Sequence, residues 1–147
     1  MHDRLDDMVD ELQGTILKEA EEAYSPQVIE RWQNPRNWGV VENPDGFSKI
    51  TGPCGDTMQI SLKIDGNRII EARYITDGCA TSIASGSMAT ELAEAKTIGE
   101  AQRISQEMIL EALGGLPEES EHCALLASNV LRAAIENYLG NRAKHSP

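Results

Sequence analysis

A hairpin in the middle of the chain constrains the fold more than any other feature. Residues 58–64 alternate apolar and polar side chains, which is typical of a half-buried strand. Asp65-Gly66-Asn67 is typical of a hairpin turn, so residues 69–76 are predicted to form the antiparallel partner. A short strand around residues 47–50 would bring the sheet to about three strands. One face of such a sheet has to be covered by other elements.

Helices in the second half of the chain are predicted to supply that cover. Residues 81–94 are rich in Ala and Ser and can pack closely, and Thr97–Glu100 resembles a capping box. A short helix is expected over 105–113, and the longest helix of the domain over 120–139, ending at Gly140. The expected fold class is α+β: a small antiparallel sheet covered on one face by helices, with a long C-terminal helix.

The N-terminal region is predicted to add a further helix. Residues 3–23 place apolar side chains at nearly helical spacing among acidic ones, which favours an amphipathic helix. Such a helix would pack on the domain or on a second copy, or serve as a docking arm for a partner. The expected organisation is an N-terminal helical extension (1–23), a main domain (24–140) and a frayed tail (141–147).

The charge of the chain excludes two classes of partner. The net charge is −11, from 24 acidic and 13 basic residues. Nucleic acids and anionic membrane surfaces need clustered Lys and Arg, so neither is an expected partner. We find no apolar run near the ~20 residues of a membrane span and no secretory signal pattern at the start. Three cysteines cannot all pair within one chain, so a reducing, cytoplasmic compartment is expected.

Three cysteines, a histidine and an aspartate form the candidate site. Cys54 and Asp56 lie in a loop with Gly and Pro just before the first hairpin strand, and Cys79 follows the second strand. Because the entry of one hairpin strand lies beside the exit of the other, these three residues are expected to meet at one edge of the sheet. His122 and Cys123 open the last helix, and they complete the set if that helix begins at the same edge.

The chemistry of this set suits a soft or borderline metal, or a reactive thiol. Each member also has a plainer interpretation. A lone cysteine is usually a small buried apolar side chain, Asp56 can bond its own loop backbone, and His122 can be solvated. Three thiols at the ends of elements, beside an imidazole and a carboxylate, favour a site. The spacing is not a C-x-x-C pair, so it does not match a zinc ribbon or a thioredoxin site.

Several short motifs run through the chain in a fixed order. They are Asn34-Pro35-Arg36-Asn37, Cys54-Gly55-Asp56-Thr57-Met58, Asp77-Gly78-Cys79, residues 83–91, Leu116-Pro117 and His122-Cys123. Together they resemble the iron–sulfur cluster assembly scaffold family of the IscU and NifU N-terminal type. The resemblance extends from about residue 24 to residue 138, most of the main domain.

The resemblance implies a non-enzymatic scaffold on which a [2Fe-2S] cluster is built and then handed on. By motif, Cys54, Cys79 and Cys123 would be thiolate ligands, and His122 or Asp56 would supply the remaining contact. It further implies that Asp56 makes the cluster labile and that Cys123 accepts persulfide sulfur. The implied ions are Fe2+ and, in the isolated protein, Zn2+. The implied partners are a cysteine desulfurase, iron and electron donor proteins, and apo iron–sulfur acceptor proteins.

Two departures from that family pattern bear on partners. Leu116-Pro117 is followed by the acidic Glu118-Glu119-Ser120, where the bacterial IscU type has a Pro-Val-Lys segment read by a specialised Hsp70 chaperone. The resemblance therefore does not extend to that chaperone. The N-terminal arm also lies outside the pattern. Two alternative functions stay open: a zinc-bound persulfide acceptor, which is a sulfur-transfer protein, and a zinc-stabilised interaction module without cluster chemistry.

Overall fold

The structure is a computed structural model that describes residues 4–144. Its helices and strands follow one another with short connections. In chain order they are α1 (Arg4–Ala23), α2 (Pro26–Gln33), β1 (Gly46–Thr51), β2 (Thr57–Asp65), β3 (Arg68–Thr76), α3 (Ala80–Ala93), α4 (Ile98–Gln102), α5 (Gln106–Ala112), a 3-10 turn (Glu118–Ser120) and α6 (Glu121–Lys144). The predicted α+β class is confirmed.

The three strands form one antiparallel sheet in the order β1-β2-β3. Thr51 at the end of β1 lies opposite Thr57 at the start of β2. Thr57 is followed by Met58, which lies opposite Thr76 at the end of β3. The predicted hairpin is therefore confirmed. The short strand expected around residues 47–50 is β1, which is one residue longer at each end. This register places the entry of β2 beside the exit of β3.

Helices α3 and α6 cover one face of the sheet, with α6 against β1 and β2 and α3 against β3. Met58, Ile60 and Leu62 of β2 are fully buried beneath them. Close packing of α3 depends on Gly86, since a Cβ there would lie 2.4 Å from the ring of Tyr74. Few aromatic residues are available, so the core consists mainly of Ile, Leu, Ala, Val and Met.

A partly buried ion cluster fixes α2 against α3. The Arg31 guanidinium lies 2.8 Å from the Glu91 carboxylate, and Arg36 lies 3.0 Å from the same carboxylate. Burial alone raises the pKa of Glu91, but hydrogen bonds from Arg31, Ser87 and Arg36 outweigh it, so the pKa lies below its usual range. The carboxylate is therefore charged at neutral pH and stabilises the packing of these two helices.

Side-chain caps mark two helix starts, and the one at Thr97 confirms the predicted capping box. The Ser25 hydroxyl accepts a hydrogen bond from the Val28 amide ahead of Pro26, and Thr97 forms the predicted capping box with Glu100. The predicted helix end at Gly140 is wrong, because α6 continues to Lys144. A lone glycine inside a helix costs only about 1 kcal/mol relative to alanine, so it does not force the helix to stop.

The predicted N-terminal helix forms and turns an apolar stripe outward. Leu5, Met8, Val9 and Leu12 of α1 are between 44% and 66% exposed. Among the contacts of the described residues, those between α1 and the rest of the domain are few and lie chiefly with α2. Among the described helices, including this long one, none is apolar enough to cross a membrane. The division at residues 23 and 24 into an extension and a main domain stays a prediction.

Candidate metal centre

The loop between β1 and β2 carries the first two predicted site residues. Its ends are closed by a 2.8 Å hydrogen bond from the Gly52 amide to the Asp56 carbonyl. Gly55 has a φ of +92°, which favours glycine and lets the chain reverse tightly. Cys54 lies exposed in this loop, whereas Asp56 is half-buried at its end. The loop thus directs a thiol outward and a carboxylate toward the domain.

The connection from β3 to α3 brings Cys79 to the same edge. The Thr57 amide donates to Oδ1 of Asp77 at 2.7 Å, and the Thr76 hydroxyl donates to the Thr57 carbonyl at 2.7 Å. These bonds tie the start of β2 to the segment that leads into α3. Cys79 is the N-cap residue of α3, and its thiol is exposed. The position predicted for Cys79 from the hairpin register is what the structure shows.

Helix α6 begins at this edge as well. His122 and Cys123 lie in its first turn. The next turn touches the β1–β2 loop, since a Cβ on Gly52 would lie 3.6 Å from the Leu126 side chain. Cys123 is only 2% exposed, but it faces the same cluster as Cys79 and not the opposite side of the domain.

Three of the five predicted residues meet directly. A carboxylate oxygen of Asp56 and the Sγ atoms of Cys79 and Cys123 all lie within 4.8 Å of one another. They come from a loop, a helix N-cap and the first turn of another helix. Residues more than 20 positions apart along the chain therefore present their ligand atoms to one point.

Two hydroxyl groups that sequence reasoning did not single out join these atoms. Thr81 Oγ1 lies 3.1 Å from Cys79 Sγ and 3.3 Å from Cys123 Sγ. Ser82 Oγ donates to Asp56 Oδ2 at 2.9 Å and lies 3.4 Å from Cys123 Sγ. The sequence feature that could have pointed to these hydroxyls is their position as a pair in the first turn of the helix that Cys79 caps.

The other two predicted residues lie at the margin of this cluster. His122 is exposed, and its Nε2 lies 3.7 Å from Cys123 Sγ. Cys54 is outside the set of ligand atoms that lie within 4.8 Å of one another. The structure thus gathers Asp56, Cys79 and Cys123 and places His122 next to them. The complete ligand set, with Cys54 and with His122 or Asp56 as the fourth contact, stays a prediction.

The two clustered thiols, Cys79 and Cys123, differ in the direction in which their surroundings shift the pKa. At Cys79, partial burial raises the pKa, but hydrogen bonds from the Thr81 hydroxyl and from the amides of Thr81 and Ser82 more than offset it, so the pKa lies below its ordinary value. At Cys123, burial dominates and raises the pKa, and the Ser82 and Thr81 hydroxyls offset it only in part. Cys79 is therefore the more readily ionised of the two, and the more accessible.

The donor set fits a four-coordinate metal ion or a cluster iron. Ligands around tetrahedral zinc, at about 2.0–2.3 Å from the ion, lie roughly 3.4–3.8 Å apart. The three atoms within 4.8 Å would need to draw in by about 1.4 Å at most. Thiolate sulfur with one oxygen or nitrogen suits zinc and iron in preference to magnesium or calcium. Cys54 would have to turn inward on its glycine-containing loop to supply a third sulfur.

The fold and the site together define a class: small α+β domains that present thiol and carboxylate ligands at one edge of an antiparallel sheet. The chain belongs to the NifU-like N-terminal domain family, whose profile matches residues 23–145. The family resemblance inferred from the motifs is therefore confirmed.

Relatives with named roles cover most of the chain. It is 47% identical over 122 residues to the iron-sulfur cluster assembly scaffold protein IscU 1 of Archaeoglobus fulgidus, across 82% of this chain and 80% of that protein. It is 42% identical over 125 residues to the protein of the same name, IscU, from Escherichia coli K12, across 82% of this chain and 97% of that protein.

Solved structures share the fold. The N-terminal part of a nitrogen-fixing NifU-like protein from Brucella abortus superposes with a TM-score of 0.63, covering 79% of this chain and 94% of that one at 18% identity. An iron-sulfur cluster assembly scaffold protein of the SUF system from Fervidobacterium islandicum gives a TM-score of 0.62, covering 76% and 96% at 22% identity. At these identities the likeness concerns the fold alone.

Proposed function

We propose that this protein is a non-enzymatic scaffold on which a [2Fe-2S] cluster is assembled and from which it is transferred. The observation that carries the proposal is the meeting of Asp56, Cys79 and Cys123 within 4.8 Å at a sheet edge. It is supported by relatives named iron-sulfur cluster assembly scaffold proteins at 42–47% identity. The cluster is the cargo of this site, so the protein has to hold it firmly enough to build it and loosely enough to release it.

The proposed ligand roles are those that the family motifs imply, and the meeting of Asp56, Cys79 and Cys123 supports them. Cys54, Cys79 and Cys123 supply thiolates, and Asp56 or His122 supplies the fourth contact. An oxygen or imidazole ligand in place of a fourth thiolate makes the site easier to vacate, because cluster irons are held most firmly by thiolates. The exposed loop position of Cys54 leaves one side of the site open to an acceptor protein.

The sulfur enters as persulfide, with Cys123 as the proposed acceptor. The Cys123 thiolate attacks the outer sulfur of the desulfurase persulfide; a new S–S bond forms on Cys123, and the desulfurase cysteine leaves as a thiolate. Cys123 is 2% exposed, so the start of α6 has to open for this step. Each transferred sulfur needs two electrons to become sulfide, which is why an electron donor protein is required besides an iron donor.

The partners of this proposal are a cysteine desulfurase, iron and electron donor proteins, and apo iron–sulfur proteins that accept the cluster. The free thiols suit the reducing cytoplasm. The acidic segment Glu118-Glu119-Ser120 forms an exposed turn before α6. It offers no positive charge to a chaperone that reads a lysine at this place, so an Hsp70 partner is not part of the proposal.

Anaerobic reconstitution tests the proposal against its rivals. Purified protein is incubated with Fe2+, cysteine, a reductant and a cysteine desulfurase, and then assayed for iron, sulfide and visible absorbance. The scaffold function predicts a thiolate-to-iron charge-transfer spectrum with equal iron and sulfide, lost in Cys79→Ser. Persulfide on Cys123 with retained zinc and no chromophore would instead support the zinc-bound sulfur-transfer protein. Zinc that cannot be displaced, without sulfur transfer, would support the interaction module.

A further inference from the structure

A single hydrogen bond controls the orientation of the Asp56 carboxylate. Ser82 Oγ donates to Oδ2 of Asp56 at 2.9 Å, and Ser82 is fully buried. A buried hydroxyl that donates to a carboxylate oxygen forms one of the stronger hydrogen bonds in a protein, since the acceptor is charged. The bond therefore holds one specific oxygen of Asp56, Oδ2, and does not engage Oδ1.

Gly78 makes room for this bond. A Cβ at position 78 would lie 2.4 Å from Ser82 Oγ and 2.8 Å from Asp56 Oδ2. No side chain larger than hydrogen fits there while Ser82 and Asp56 stay in contact. The φ angle of Gly78 is not in the left-handed region, so backbone conformation does not explain the glycine. The glycine is explained by the space that the Ser82–Asp56 contact needs.

We propose that Ser82 is a positioning residue that keeps Asp56 bound to the metal or cluster through one oxygen. The space left by Gly78 allows this contact. The inference rests on the proposed role of Asp56 as a ligand. With Oδ2 occupied by the Ser82 hydroxyl, only Oδ1 is free for the cargo. A carboxylate bound through one oxygen leaves more readily than one bound through two, so Ser82 favours release of the cluster. Removing a residue that hydrogen-bonds a metal ligand commonly lowers metal affinity by about 10–100-fold. Here the affinity is expected to rise by a comparable factor, because the freed Oδ2 can bind the metal as well.

The hydroxyl also lies 3.4 Å from Cys123 Sγ. The hydroxyl is therefore placed to donate to either ligand, and the carboxylate is both nearer and the stronger acceptor. Ser82 therefore links the two ligands that come from different parts of the fold. Loss of the hydroxyl is expected to free Oδ2 of Asp56 for the metal and to remove a hydrogen-bond donor from Cys123.

The test compares Ser82→Ala with Ser85→Ala. Ser85 is one turn further along α3, fully buried, and donates to the Thr81 carbonyl at 2.7 Å, and among the described residues its hydroxyl forms no hydrogen bond with Asp56, Cys79 or Cys123. Zinc affinity is measured by chelator competition, and cobalt(II) serves as a spectroscopic probe of coordination. Ser82→Ala is expected to raise zinc affinity by roughly 10-fold or more. It is also expected to weaken the cobalt d–d absorbance, since a two-oxygen carboxylate raises the coordination number above four. Ser85→Ala is expected to leave both readouts within about 2-fold of wild type.

Unchanged zinc affinity and an unchanged cobalt spectrum in Ser82→Ala overturn the inference, and so does an equal response of Ser85→Ala. Gly78→Ala offers a second route to the same contact, because it keeps the hydroxyl but forces it away from Asp56. The outcomes separate this inference from the scaffold function. A wild type that binds zinc in a Ser82-dependent way but builds no cluster defeats only the scaffold function. A wild type that builds the cluster while Ser82→Ala binds metals identically defeats only the positioning role.

Discussion

Replacing Gly78 by alanine perturbs the candidate site without substituting any of the proposed ligands. The added Cβ would lie 2.4 Å from Ser82 Oγ, 2.6 Å from Ser82 Cβ and 2.8 Å from Asp56 Oδ2. Ser82 is fully buried on α3, so its backbone cannot retreat easily and the loop that carries Asp56 has to move. Overpacking of this kind costs about 1–3 kcal/mol. For a chain of this size that lowers the melting temperature by about 2–12 °C.

The assay combines thermal unfolding with zinc titration on the same preparations. Gly99→Ala is the matched control: Gly99 lies in α4, and a Cβ there meets no heavy atom within 4 Å. That control is expected to keep or slightly raise stability, by up to about 1 kcal/mol, because alanine favours helices over glycine. Gly78→Ala is expected to lower stability and to change zinc affinity roughly 10-fold, in line with loss of the Ser82 contact.

Two results would contradict the expected effects of Gly78→Ala, each in a different way. A melting temperature for Gly78→Ala equal to that of the wild type would mean that the segments around Asp56 move at little cost in free energy. The close contact would then not contribute to stability. A lowered melting temperature with unchanged zinc affinity means that the contact is real but does not govern the ligand.

Further predictions concern accessibility, acid stability, release and the N-terminal helix. Alkylation of the apoprotein at neutral pH should modify Cys79 at least 10-fold faster than the buried Cys123, as read by mass spectrometry; equal rates would contradict the observed burial. Because the pKa of Glu91 is lowered in the folded state, the ionised carboxylate stabilises the fold above the unfolded pKa near 4.3. This stabilisation is lost as the pH falls through the lower pKa of the folded state. Glu91→Gln should flatten that part of the acid unfolding curve, and an identical curve would count against the ion cluster. Asp56→Ala should slow cluster transfer to an acceptor, measured by the acceptor's absorbance; unchanged kinetics would argue against the oxygen ligand. Deleting residues 1–22 should leave zinc binding within about 2-fold and the melting temperature within roughly 2 °C, since the apolar side chains described near the start of α1, residues 5–12, are largely exposed; failure to fold would show that the helix belongs to the core.

The sheet and the meeting of distant ligands were predictable because they follow from local rules. Alternation at residues 58–64 and the turn at 65–67 set the strands, and antiparallel register then places Cys79 beside the Asp56 loop. The capping signals at Ser25 and Thr97 also act within a few residues, so they can be read directly from the chain.

Other features depend on tertiary packing and were not predictable. The Ser82–Asp56 bond exists only because Gly78 lets two separate segments approach, and no spacing rule links those positions. The burial of Cys123 depends on where α6 lies against α3. The extension of α6 past Gly140 reflects the surrounding helix and not the glycine itself.

The most direct test of the account counts the sulfur ligands in solution. X-ray absorption at the zinc K-edge, on protein loaded with one equivalent of Zn2+, resolves Zn–S at about 2.3 Å from Zn–N or Zn–O at about 2.0–2.2 Å. We expect three sulfurs and one nitrogen or oxygen in the wild type, falling to two sulfurs in Cys54→Ser. Two or fewer sulfurs in the wild type, or a count that Cys54→Ser leaves unchanged, would mean that the three thiols do not share one site.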